Sequence, residues 1–186
     1  MTLSALIESV KKETLRKLNE NIVGEERDEI SEIIAVGALK YADLLPNKSK
    51  DYVFDIDKFS DLNGKTGVYL LYSTNRIKTL LRKAKENNLQ IGPINVITDT
   101  YDRDIVLKLL ESEIVLDKAF EEKSLNEIAE YLYELTSLYN SFYSSNRILS
   151  ENNDEIRESW LGISNAVYNT NKELLKILGI KCPKKI

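Results

Sequence analysis

The sequence predicts an all-α protein, a bundle of about six to eight helices around one core, with residues 1–186 as a single domain. Three observations predict it. Apolar residues recur at helical spacing through most of the chain, and breakers stand where the periodic runs stop: Gly24, Pro46, Gly92-Pro93 and Gly179. No repeat, low-complexity tract or long linker interrupts the pattern.

The elements follow in order. Leu3, Leu6, Ile7, Val10, Leu15 and Leu18 predict a helix from Thr2 to Asn19, started by Thr2 or Ser4. Gly24 breaks it. A second helix runs from Glu25 to Leu45, with Ile30, Ile33, Ile34, Val36, Ala38, Leu39 and Ala42 inward and Pro46 at its end. Asn47 to Asp57 reads as a connector, extended through Tyr52, Val53 and Phe54, and a short helix is expected near Ile56 to Leu62. After Gly64 and Gly67 a helix lasts to about Asn87, followed by a loop from Asn88 to Thr98. Asp99 caps a helix from Tyr101 to Leu110, and Glu113 to Glu122 is helical. Ser124 and Glu127 match a capping box, S-x-x-E, before a long helix reaching about Arg147. The last helix spans Glu155 to Leu178, with Gly179 and then Pro183 beyond it.

Composition narrows the chemistry. Charged residues make up 30% of the chain and hydrophobic ones 42%, the balance of a folded water-soluble protein. No apolar run reaches the roughly 18 to 20 residues of a membrane span, and no basic leader precedes an apolar stretch, so a cytoplasmic location and no membrane partner are expected. Cys182 is the only cysteine, which suits a reducing compartment. The absence of histidine removes the usual general base and the commonest metal ligand, so triads and zinc sites fit poorly. Asp55, Asp57 and Asp61 lack the glycine and distal glutamate of a calcium loop, and no phosphate-cradling glycine motif occurs. No metal and no cofactor are expected in this chain.

The net charge of −4 is unevenly spread. Arg76 to Lys85 holds five cations and no acid, whereas Asp99 to Glu134 holds eleven acids and four cations. A local basic strip on an acidic body steers one polyanion while repelling others. Within this region Leu70, Ile77, Leu80, Leu81 and Ala84 share one helix face, and Tyr69, Tyr72, Arg76, Thr79 and Lys83 share the neighbouring strip. Two readings stay open for that strip. It is either the amphipathic edge of the core or a platform of rings and cations for unpaired bases and their phosphates. On the helix after Ser124, Ile128, Leu132, Leu135, Tyr139 and Phe142 form the inward stripe, with Tyr131 and Tyr143 at its margins.

The run IAVGALKYADLLPNKSKDYVFDIDKFSDLNGKTGVYLLYSTNRIKTLLRKA and the ending LLKILGIKCPKKI resemble the C-terminal part of arginyl-tRNA synthetase. The family's GAxKYADL stands at Gly37 to Leu44, its N-x-x-x-D-Y-x-F-D at Asn47 to Asp55, its G-x-T-x-x-Y-L-x-Y at Gly64 to Tyr72, and its R-x-x-S/T-x-x-R-K-A at Arg76 to Ala84. EYLYELTSLYNSFYSSNRIL is similar to the family's later helix. The resemblance implies the helical anticodon-binding domain of a class I aminoacyl-tRNA synthetase, named for a D-A-L-R motif, whose partner is the anticodon loop of arginine tRNA and whose main identity element there is a middle cytosine. It further implies Tyr69 and Tyr72 as ring surfaces, Arg76 and Arg82 as donors to phosphates or base edges, and Lys83 beside Arg76 for flanking phosphates. Tyr139 and Phe142 join the implied set, Phe142 where the family places an aromatic near the read base, and Ile186 stands where the family's chain end approaches the loop. Val68 replaces the family's usual proline, Leu71 its frequent glutamine and Ile186 its common terminal methionine.

The family's aminoacylation site lies on a Rossmann-type domain with HIGH and KMSK signatures. A chain without histidine lacks the first, and Lys48-Ser49-Lys50 is only an echo of the second. The resemblance therefore implies a C-terminal piece of a longer enzyme, inactive alone, with residues 1–23 connecting to the catalytic domain that uses ATP and arginine. A helical protein–protein module without RNA contact, suggested by the acidic stretch, is the alternative.

Overall fold

The computed structural model describes residues 2–17, 24–47, 61, 64–184 and 186. Among them are seven α-helices and one 3-10 turn: α1 (Leu3–Lys17), α2 (Gly24–Leu44), α3 (Gly67–Glu86), α4 (Thr100–Leu110), α5 (Ser112–Glu122), α6 (Asn126–Ser145), the turn Ile148–Ser150, and α7 (Asp154–Ile177). The bundle is the predicted one. The expected extended piece at 52–54 and most of the short helix at 56–62 lie outside the described residues. None of the described helices is long and apolar enough to cross a membrane.

Helix α1 packs on α2, α2 on α3, and α3 on both α6 and α7, while α4 and α5 lie against α6. The inward stripes read from spacing make the core: Ile34, Ala38 and Tyr41 from α2, Leu70, Ile77 and Leu80 from α3, Leu132, Leu135, Tyr139 and Phe142 from α6, and Trp160, Leu161 and Val167 from α7 are all buried. Each removes apolar surface from water, about 25 cal/mol per Å². Inside this core one polar knot joins three helices. The Asn171 amide on α7 donates to Thr74 Oγ1 on α3 at 3.3 Å and to Thr136 Oγ1 on α6 at 3.1 Å.

Glycines set two close crossings. A Cβ on Gly67, in the first turn of α3, would stand 2.7 Å from the Gly37 carbonyl oxygen and 2.8 Å from Ala38 Cα, so α3 meets α2 backbone to backbone. A Cβ on Gly162 would stand 2.4 Å from the Gly92 carbonyl oxygen, where the loop after α3 crosses α7. Glu158 O and Ser159 Oγ strap that loop, accepting from Gly92 N at 3.2 Å and from Val96 N at 3.1 Å.

Asp99 caps α4 as expected, and Asp102 completes a reciprocal box. The buried Asp102 carboxylate accepts from Thr98 N, Thr98 Oγ1, Asp99 N and Arg103 N at 2.6 to 3.1 Å. Burial alone would raise its pKa, but these donors stabilise the anion and leave it below the ordinary carboxylate value. A depressed carboxylate stabilises the fold above its unfolded pKa and loses that contribution as pH falls through the lower folded value. Asp102→Asn is expected to cost about 0.5–2 kcal/mol at neutral pH and to flatten the stability–pH curve below roughly pH 4, measured by urea unfolding at stepped pH. An unchanged acid limb would show that Asp102 contributes nothing to it.

The Ser124 box does not form. Lys123 closes α5 in the left-handed region at φ 49°, and Ser124 N bonds the Ala119 carbonyl at 3.1 Å, so Ser124 belongs to the end of α5. Helix α6 begins at Asn126 without a side-chain cap, and Glu127 pairs with Lys118 at 3.0 Å instead.

Candidate functional site

The site begins at the first turn of α3. Thr66 caps the helix, accepting from Tyr69 N at 3.0 Å while its hydroxyl donates to the Asp61 carbonyl at 2.6 Å. With the Gly67 crossing, this fixes the rotation of α3. Leu70 and Leu71 are thereby seated in the core, leaving Tyr69 and Tyr72 half-buried and Arg76 exposed along one strip. That strip is one wall of a groove of about 600 Å³, made of Tyr69, Tyr72, Ser73, Asn75, Arg76 and Thr79. Asn140 and Ser144 of α6 form the opposite wall, and Ile186 closes one end.

The tail reaches the groove by a defined path. Gly179 ends α7 at φ +66°, Lys40 Nζ donates to its carbonyl at 2.5 Å, Ile180 is buried, and Lys78 Nζ donates to the Lys184 carbonyl at 2.7 Å. The cations of α2 and α3 thus draw the segment back along the bundle.

Asn140 organises the polar contacts. Its Nδ2 donates to the Tyr69 hydroxyl at 2.6 Å and to Ser73 Oγ at 2.9 Å, and its Oδ1 accepts from Arg76 Nη2. The Arg76 guanidinium also lies over the Tyr143 ring, 4.6 Å from its centroid. A long flexible cation is thereby held in one place before any ligand arrives, which reduces the entropy lost on binding. Among the described lining side chains there is one cation and no acidic group. Burial pushes the Tyr72 hydroxyl pKa up, opposed by nearby Arg27, so the ring is a neutral phenol at physiological pH.

The groove gathers Tyr69, Tyr72, Arg76 and Ile186 from the expected set and leaves out four others. Lys83 is exposed in the last turn of α3, beyond the lining. Arg82 pairs with Glu86 at 2.5 Å and lines a separate hollow with Leu81, Lys85 and Tyr168, because six residues from Arg76 carry it round the helix. Tyr139 and Phe142 are corrected as direct contacts. Both are fully buried, Tyr139 donating to Ser164 Oγ at 2.9 Å and Phe142 meeting Trp160 edge-on at 6.0 Å. They support the wall from behind. Asn140 and Ser144 were missed, although Tyr133, Ser137, Asn140 and Ser144 recur at four, three and four residues, a polar stripe beside the apolar one.

Comparison with known proteins gives a consistent picture. Residues 70–186 match the family model described as the DALR anticodon binding domain. The chain is 38% identical over 189 residues to the arginine–tRNA ligase of Alkaliphilus oremlandii, covering all of this chain and 32% of that protein. It is 31% identical to the arginine–tRNA ligase of Agathobacter rectalis, over 96% of this chain and 30% of that one. The chain thus spans about a third of the length of these relatives. Among solved structures, the arginyl-tRNA synthetase of Thermus thermophilus superposes with a TM-score of 0.90 at 24% identity, over all of this chain and 32% of that one. That of Plasmodium falciparum gives 0.82 at 25% identity, over all of this chain and 34% of that one.

Proposed function

Because the chain belongs to the DALR anticodon binding domain family, we propose that its groove holds the anticodon loop of arginine tRNA on behalf of a longer arginine–tRNA ligase. The observation that carries the proposal is a solvent-open groove in which two phenol rings, an anchored guanidinium and an amide converge with no acidic side chain among the described lining. Anticodon bases are unpaired and can be splayed out, so they are read by stacking on rings and by hydrogen bonds to their edges. Tyr72 supplies the stacking surface for the middle cytosine. The Asn75 amide supplies an edge donor and acceptor, the Asn140 oxygen keeps one lone pair for a base edge, and Arg76 takes a flanking phosphate, with Lys83 adding attraction further along the backbone.

In this reading ATP and arginine are handled by the catalytic domain of the longer enzyme, and the domain works in the cytoplasm without metal or cofactor. Its chemical contribution is positional: binding energy far from the reacting ester holds the tRNA so that its acceptor end is presented correctly. The alternative, a docking module for a protein partner suggested by the acidic stretch, draws further support from Leu110, Ile114 and Phe120, which are 72%, 68% and 85% exposed on α4 and α5.

Tyr72→Ala is expected to lose about 1–3 kcal/mol of binding to arginine tRNA, the contribution of one stacked base, measured on the folded domain, with a modest fall in melting temperature because the half-buried ring also packs against the core. Changing the middle anticodon letter should weaken the wild-type domain and leave Tyr72→Ala nearly indifferent. Equal affinities of the wild type for the two tRNAs, measured by fluorescence anisotropy at fixed salt, would remove the claim that the groove reads this base.

A further inference from the structure

We propose that Tyr133 and the hollow beside it form a second base subsite, which takes an unpaired base neighbouring the one in the Tyr72 groove. The proposal rests on the anticodon reading above and extends it to a site of different chemistry.

Four observations carry it. The polar stripe of α6 continues past the groove: Asn140 and Ser144 line the groove, whereas Tyr133 and Ser137 line a hollow of about 420 Å³ with Lys108, Glu134, Leu138 and Ser141. Tyr133 lies two turns before Asn140, about 10 Å along the helix. The two spaces adjoin, since the Tyr69 and Tyr133 rings stand 5.8 Å apart at 50°, and the Tyr69 and Ser137 hydroxyls are 3.4 Å apart. The Tyr133 ring is anchored by Lys65, whose ammonium sits 5.2 Å from the ring centroid while pairing with Glu130. Lys65 is not part of the hollow's described lining, so a ligand in the hollow meets the ring without displacing that cation.

The electrostatics select the kind of ligand. Burial disfavours the charged form of Lys108, but Glu111 and Glu134 hold it as an ammonium, at 2.8 and 2.6 Å, and so neutralise it. With two carboxylates on one lysine, the charge at the hollow is net negative and gives a phosphate no attraction. Its ring, the Leu138 side chain and the Ser137 and Ser141 hydroxyls suit a neutral heterocycle, and the Glu134 carboxylate favours an edge that donates, as the amino groups of adenine, cytosine and guanine do. The groove thus binds a base together with backbone charge, and the hollow binds a base alone.

The test uses the anticodon stem-loop RNA of arginine tRNA with an abasic residue placed at each loop position in turn. The wild-type domain should show two positions at which base loss weakens binding. Tyr133→Ala should bind the intact probe about 5- to 150-fold more weakly and become insensitive to one of those positions, retaining the other. Tyr133→Phe, which keeps the ring, should restore affinity to within about twofold. Ser141→Trp, at an exposed rim position, should fill the hollow and reproduce the loss without touching the ring. If Tyr133→Ala and Ser141→Trp keep both penalties and full affinity, or if the wild type shows one sensitive position, the second subsite is overturned and the groove reading stands. Wild-type binding no tighter than to an unrelated hairpin overturns both.

Discussion

Phe142→Ala is expected to lower the unfolding free energy by about 3–5 kcal/mol while leaving the tRNA affinity of the folded fraction unchanged. Phe142 is fully buried, 5.8 Å from the Tyr139 ring centroid and edge-on to Trp160. Removing it forfeits the transfer of the ring from water and leaves a void that rigid neighbours close only in part. A domain's whole stability is roughly 5–15 kcal/mol, so the variant stands near the limit of folding and is best assayed in an osmolyte such as trimethylamine oxide. Urea unfolding gives the first quantity, and titration with arginine tRNA, scaled to the folded fraction, gives the second. Retained stability with lost binding would reverse the assignment and make Phe142 a contact after all.

Gly162→Ala should cost about 3 kcal/mol, the upper end of what overpacking usually does. Two effects oppose each other. Alanine is the better helix former by about 1 kcal/mol, so an isolated α7 would gain. The added carbon, however, would stand 2.4 Å from the Gly92 carbonyl oxygen, a backbone atom of a loop strapped to the same helix by Ser159, whose hydroxyl donates to the Val96 carbonyl at 2.9 Å. No rotamer relieves that contact, so the loop must lift and its bonds loosen. A fall in melting temperature of roughly 6–12 °C is expected, with faster hydrogen exchange at Gly92 and Val96. A higher melting temperature would show that the loop moves freely and that propensity wins.

Much of the bundle was legible because helical periodicity is a property of consecutive residues. The stripe Ile128, Leu132, Leu135, Tyr139, Phe142 was assigned inward by spacing and is inward. For Tyr139 and Phe142 this local signal was a better guide than the family resemblance, which placed them in the site. The same spacing set Tyr69, Tyr72 and Arg76 on one strip, and the groove confirms their shared exposure. What spacing could not supply was the opposite wall. Asn140 meets Arg76 across 64 residues of sequence, and nothing local announces which polar stripe of one helix faces which strip of another. Ser124 failed for a related reason: its motif suits the start of α6, but the end of α5 claimed its backbone first.

The knot of Asn171, Thr74 and Thr136 bears on that opposite wall. Interlocking aliphatic side chains tolerate neighbouring alignments at modest cost, whereas the N–H groups of an amide shut away from water find both acceptors at one alignment only. If α3 slid a single turn, about 5.4 Å, against α6, the amide could no longer reach both threonines at once. The same slide would carry Tyr69, Ser73 and Arg76 past Asn140. The bundle's interior therefore acts as a vernier for its outer face: a small hidden key sets, to within one helical turn, where the ring strip meets the amide that holds it.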